Sequence, residues 1–214
     1  MSHKKMAAVL LLGVSFLLGA CLNLKKPMNR IEYYTLEYAP TQLTDMEPLP
    51  GAIRVERFTV APIYNTTRII YRDQSFKRDA YVYHQWRVNP GDLVTYLLNR
   101  DIRHSGLFRA VLPYDSRVAS SYILEGSVDE FFERDDAGNW NAVLSLSITL
   151  MAENEPDISK RILFQKSYHR TEACNLRHPQ ALAEAMSLAM SRISKEIVNN
   201  IHDNLQKMKM DLKK

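Results

Sequence analysis

Residues 141–150, NAVLSLSITL, change side-chain character with a period of two: Leu144, Leu146, Ile148 and Leu150 fall on one side of an extended chain, Val143, Ser145, Ser147 and Thr149 on the other. A helix would mix the two sets around its circumference. The run therefore reads as a strand with one buried and one wet face, which is the pattern of antiparallel sheet. A second extended stretch, SYILEGSVDEFFER at 121–134, precedes it, and DDAGN at 135–139 has the composition of a hairpin turn.

A sheet with one apolar face needs a cover. From Pro179 onward Leu182, Met186, Ala189, Ile193, Ile197, Ile201 and Leu205 step by three or four, the stripe of a long amphipathic helix. Asn89, Pro90 and Gly91 open a second one, where Val94, Leu97, Leu98 and Ile102 recur at helical spacing and Gly106 supplies the stop. The remaining strand candidates are EYYTLEY at 32–38, AIRVERFTVAP at 52–62, TRIIYRD at 67–73, DAYVYHQWRVN at 79–89, LFRAVLP at 107–113 and KRILFQKSYHRTE at 160–172. The third and fourth form a hairpin around a polar turn. APTQLTDMEPLPG, with three prolines and a glycine, is a loop. The order predicts one α+β domain, an antiparallel sheet with two main helices packed on one face.

The N-terminus reads differently. Lys4 and Lys5 precede 15 apolar or small residues, Met6 to Ala20, too few for a bilayer-spanning helix, which needs about 20. A positive start, a short apolar run and a small-residue exit make a secretory signal peptide. The exit, Leu18-Gly19-Ala20-Cys21, resembles the lipobox of bacterial lipoproteins, in which the cysteine is acylated and becomes the first residue of the mature chain. Leu22 rather than aspartate follows it; in lipoproteins of enteric-type bacteria that favours transfer to the outer membrane. The expected organisation is a signal peptide at 1–20, a lipidated N-terminus and tether at 21–31, the α+β domain at 32–206 and a basic tail at 207–214.

Composition bounds the chemistry. Cleavage would remove Lys4 and Lys5 and no acids, lowering the net charge from +4 to +2, too balanced to suggest nucleic-acid binding. An acylated Cys21 leaves Cys174 unpaired, a buried or unreactive thiol. Gly51, Gly91, Gly106, Gly126 and Gly138 lie no closer than 12 residues apart, so no phosphate-cradling loop exists. There is no G-x-S-x-G, H-E-x-x-H or C-x-x-C, and His84, His104, His169, His178 and His202 show no pair at helical ligand spacing. These observations predict no catalytic residues, no metal and no cofactor. Asp129, Glu130, Glu133, Asp135 and Asp136 are read as a solvated hairpin tip, and Lys207, Lys209, Lys213 and Lys214 as solvation of a helix end.

One cluster stands out. Tyr64, Tyr71, Tyr81, Tyr83 and Trp86 fall within 23 residues, and the 79–89 strand carries aromatics on both faces. Either the domain covers both faces, or one face meets a partner, since Tyr, Trp and Arg are enriched at interface hot spots. Tyr71, Arg72, Tyr81, Tyr83 and Trp86 are the candidate partner-binding residues.

Together these features resemble the ABC-type transport auxiliary lipoproteins, including the paraquat-inducible protein C group. The resemblance rests on the lipobox at Cys21, YYTL at 33–36, IRVERFTVAP at 53–62, Tyr71 and Arg72, Tyr83 and Trp86, Pro90 and the closing S-G-x-F-x-x-V on Ser105, Gly106, Phe108 and Val111. It implies a non-catalytic partner of an ABC transporter whose periplasmic MCE-domain protein moves lipids between the two membranes. The chain would then be held by a lipid anchor at the outer membrane, facing the periplasm. A ring-shaped partner would favour a symmetric homo-oligomer, which the sequence does not itself show. The competing readings are a structural envelope lipoprotein and a solute-binding receptor of an importer; the single antiparallel sheet disfavours the two-lobed receptor.

Overall fold

The computed structural model describes residues 30–40, 48–73, 76–136 and 138–211. Cys21, the signal peptide and the tether up to residue 29 lie outside these, as does the end of the basic tail after Asp211. The compact unit spans Ile31–Lys214.

Its spine is the predicted hairpin. β7 (Tyr122–Asp136) and β8 (Asn139–Ala152) pair antiparallel over their full lengths, from Tyr122 opposite Ala152 to Asp136 opposite Asn139. Gly138 adopts φ 97° in the turn, a conformation that costs a residue without Cβ little. β9 (Ile162–Ala173) adds to the other side of β8, also antiparallel.

On its free side β7 is matched by three short strands in succession. β2 (Leu49–Val55) pairs at Tyr122–Leu124, β3 (Thr59–Val60) at Ser127–Val128 and β4 (Arg68–Arg72) at Glu133–Arg134, all parallel. β6 (Phe108–Pro113) flanks β2 in parallel, β5 (Asp79–Trp86) flanks β4 antiparallel, and β1 (Glu32–Tyr34) flanks β5 in parallel. The α+β class with two main helices holds, while the sheet is mixed rather than purely antiparallel. The stretch 52–62 is correspondingly two strands, with Glu56–Phe58 carrying the chain from β2 to β3.

Helix α1 (Pro90–His104) starts where expected, its Asn89 side chain accepting from the Gly91 amide at 2.9 Å. It ends at Gly106, φ 67°. A one-turn helix α2 (Ile158–Arg161) joins β8 to β9, and α3 (Pro179–Asp211) extends the predicted stripe through part of the basic tail. α3 packs on β8 and β9, and α1 on β6, β7 and α3. The core between them contains Leu144, Leu146, Ile148 and Leu150 from β8, and Leu182, Met186, Ile193 and Ile197 from α3, all essentially inaccessible. Among the described residues no helix is long and apolar enough to cross a membrane.

Candidate functional site

The β4–β5 hairpin departs from regular pairing. Arg68 faces Gln85 and Ile70 faces Ala80, so one residue on β4, Ile69, opposes four on β5, a bulge of three residues. The Arg68 guanidinium fills it, donating to the carbonyl oxygens of Ala80 at 3.1 Å and Tyr81 at 3.4 Å. The bulge pushes Val82 and Tyr83 outward, 62% and 43% exposed. Tyr81 turns inward instead, its ring 5.0 Å from that of Tyr71, its hydroxyl donating to both Glu133 oxygens at 3.1 and 3.2 Å. Arg72 lies half-buried with its guanidinium 5.5 Å from the Phe132 ring centre.

Trp86 corrects the expectation. It is 1% exposed and meets Phe131 edge-on at 5.0 Å, so it belongs to the core and offers a partner nothing. Of the five candidates the structure leaves Tyr83 exposed, Tyr71, Arg72 and Tyr81 half-buried, and Trp86 enclosed. Strict alternation along β5 could not separate them, because the bulge breaks the period.

Of the acidic cluster only Asp135 and Asp136 border the hairpin turn. β7 continues to Asp136, and Glu133 is buried on the helix side. Burial, reinforced by the charge of Asp135, pushes its carboxyl up to about 7, against the opposing pull of the Tyr81 hydrogen bond and Arg177. Cys174 lies beside it, partly buried and unpaired, its thiol pushed up to about 11 by burial.

The face of β7–β9 away from the helices is buried toward the turn, where Val143, expected on the wet face, pairs with Phe132 under Tyr64, and is a hydroxyl field beyond. Ser147 donates to Asp129 Oδ2 at 2.5 Å and lies 2.8 Å from Ser167 Oγ; Gln165 donates to Thr149 at 3.2 Å. Ser145 donates to Glu130 Oε2 at 2.7 Å and sits 2.7 Å from His169 Nδ1. Glu130 Oε2 also lies 3.3 Å from His169 Nδ1, so acid and hydroxyl share one ring nitrogen, whereas a nucleophile relay needs them on opposite ring nitrogens. A trough of about 550 Å³ runs along this face between Glu56–Thr59 and Gln165. A second groove, about 440 Å³, lies between α1 and the end of β6 and is flanked by exposed Tyr96 and Tyr114. Arg57, paired with Asp92 through both carboxylate oxygens at 2.7 and 2.9 Å, borders both. Among the described residues no group of His, Cys, Asp and Glu is arranged to hold a metal ion.

One polar junction escaped the sequence. Asp101, fully buried in α1, accepts from Tyr38 and from Ser194 of α3, each at 2.6 Å, and from Arg100 Nε at 2.9 Å. It ties the first segment to both long helices. Its signal was available: an acid beside Leu97, Leu98 and Ile102 on an apolar stripe needs buried partners.

The family model described as "ABC-type transport auxiliary lipoprotein component" matches residues 34–198. No curated protein matches the chain. The crystal structure of protein XCC0632 from Xanthomonas campestris, of the family designated DUF330, is similar in fold. It has TM-score 0.75 and 18% identity over 84% of this chain and 99% of that one. The crystal structure of an uncharacterized protein superposes with TM-score 0.61 at 14% identity, over 80% of this chain and 99% of its own.

Proposed function

The chain belongs to the ABC-type transport auxiliary lipoprotein family, and from that premise we propose that it acts as a lipid-anchored docking module. In this reading Cys21 is acylated, the α+β domain is held at the periplasmic face of the outer membrane, and it meets the MCE-domain protein of an ABC system that moves lipids between the membranes. The carrying observation is the family match over 34–198 on a chain whose residues 18–21 have lipobox character.

The geometry supports docking rather than chemistry. The exposed, irregular elements are the bulged β5 with Val82 and Tyr83, and the groove between Tyr96 and Tyr114. Aromatic side chains on fixed elements contribute contact area at low entropic cost. Neither place holds a nucleophile with a positioned base.

Two measurements test the reading. Mass spectrometry of the mature product should find Cys21 carrying acyl chains at the new N-terminus. Affinity capture from detergent-solubilised envelopes should recover an MCE-domain protein, with recovery lowered by Tyr83→Ser or Tyr96→Ser. An acylated chain that repeatedly brings down no such protein would overturn the partnership.

A further inference from the structure

Two exposed apolar side chains that the core does not need stand at one end of the sheet, as Ile158 and Ile162 stand at the other. β4 runs toward that end and β5 leaves it; β7 runs toward it and β8 leaves it; β9 runs back into it before α3 begins. The β4–β5 turn, the turn at Gly138 and residues 174–178 therefore lie together. Arg72 reaches Asp136 at 3.8 Å and Arg177 reaches Asp135 at 3.2 Å, ion pairs that span these turns. Phe76 projects from the first turn fully exposed, and Leu176 from the last segment at 72%. Such side chains at loop tips give up the stabilisation that burial would bring.

The first strand points back to the same end. β1 is parallel to β5 and pairs with its last residues, Glu32 opposite His84 to Tyr34 opposite Trp86, so Glu32, where the strand begins, is its residue nearer the turns. Glu32 is close to that end in charge as well. The hydrogen bond from Tyr34 holds its carboxyl below the usual range, and His84 and His178 add to the effect. Nine residues, 22–30, separate Cys21 from Ile31. At roughly 3.3 Å each they reach about 30 Å.

We propose that this end is a bilayer-contact surface, with Phe76 and Leu176 entering the headgroup region of the leaflet that holds the Cys21 anchor. The proposal rests on the acylation reading above. The short tether keeps the turns within reach of that leaflet, and two separate tips suit a soft interface better than a flat protein face. Phe and Leu side chains gain by burial at the boundary between headgroups and acyl chains. Lys77 and Arg177 are already paired, with Asp73 at 3.6 Å and Asp135 at 3.2 Å, so apolar insertion dominates over attraction to anionic lipid. A membrane contact of this kind adds a second hold to the acyl chains and fixes the domain's orientation.

The test uses the full acylated chain with Phe76→Trp in phosphatidylcholine vesicles, with and without brominated acyl chains. Emission added over the unsubstituted chain, which carries Trp86 and Trp140, should be strongly quenched by the brominated lipid. Ile158→Trp lies where β8 hands over to β9 at the opposite end and should be unquenched. Adding Leu176→Asp to the F76W chain should reduce the quenching, and raising the salt should not. Equal F76W emission in both vesicles, on a chain shown by mass spectrometry to be acylated, overturns the surface and leaves the anchor standing. A blue shift without bromine quenching assigns the end to a protein contact and overturns it as well. An unacylated chain that stays in solution overturns both readings; one that still binds vesicles and is quenched supports the surface alone.

Discussion

The two faces of the β7–β9 sheet share one backbone and differ in almost everything else. On the helix side Leu144, Leu146, Ile148 and Leu150 are closed off from solvent, and only a few polar groups intrude. One residue along in each case, Ser145, Ser147 and Thr149 hydrogen-bond to Glu130, Asp129, Ser167, His169 and Gln165 across strands. The first face determines whether the chain folds, because its volume must be filled closely. The second is held by exchangeable polar contacts that water can replace, so its residues are free to change without loss of the fold.

This contrast is open to direct attack. Leu146→Asp places an unpaired charge at a fully inaccessible site, and should leave no cooperative unfolding transition by circular dichroism. Asp101→Ala removes the buried acceptor shared by Tyr38 and Ser194; urea unfolding should show a loss of about 3 kcal/mol. Glu133 is the acid on the apolar side. Its folded-state value near 7 lies above its ordinary 4.5, so the fold binds the proton more tightly than the unfolded chain does. The contribution of Glu133 to stability is then greatest below about pH 4.5, falls by up to about 1.4 kcal/mol per pH unit as pH rises toward 7, and levels off above. Glu133→Gln should flatten that slope in urea midpoints measured across the range. Smallest of all, Ser147→Ala on the open face should cost about 0.5–1 kcal/mol, read by thermal unfolding. A loss there as large as that for Asp101→Ala would erase the distinction between the faces.

Much of this was legible in the sequence because period-two and period-3.6 patterns are local. The β7–β8 hairpin, the Asn89 cap, the stop at Gly106 and the stripe of α3 all follow from residues a few positions apart. Parallel pairing of β2, β3 and β4 with β7 was not legible, since nothing within a strand specifies its neighbour's direction. The burial of Trp86 and Glu133 was missed for related reasons. The β5 bulge shifts the phase of alternation, and the length of β7 draws an apparently loop-like acidic run into the sheet. Asp101 needed partners 63 and 93 residues away.

The direction of β1 carries a mechanical consequence. Because β1 runs parallel to β5, a pull directed along the strand from its N-terminal end acts across hydrogen bonds slanted to it, not along them. All rungs of that short ladder must yield together in shear; none can be peeled singly like a zip. The first strand is thus most resistant when loaded along its own axis, the direction in which tethering at the N-terminus would strain it.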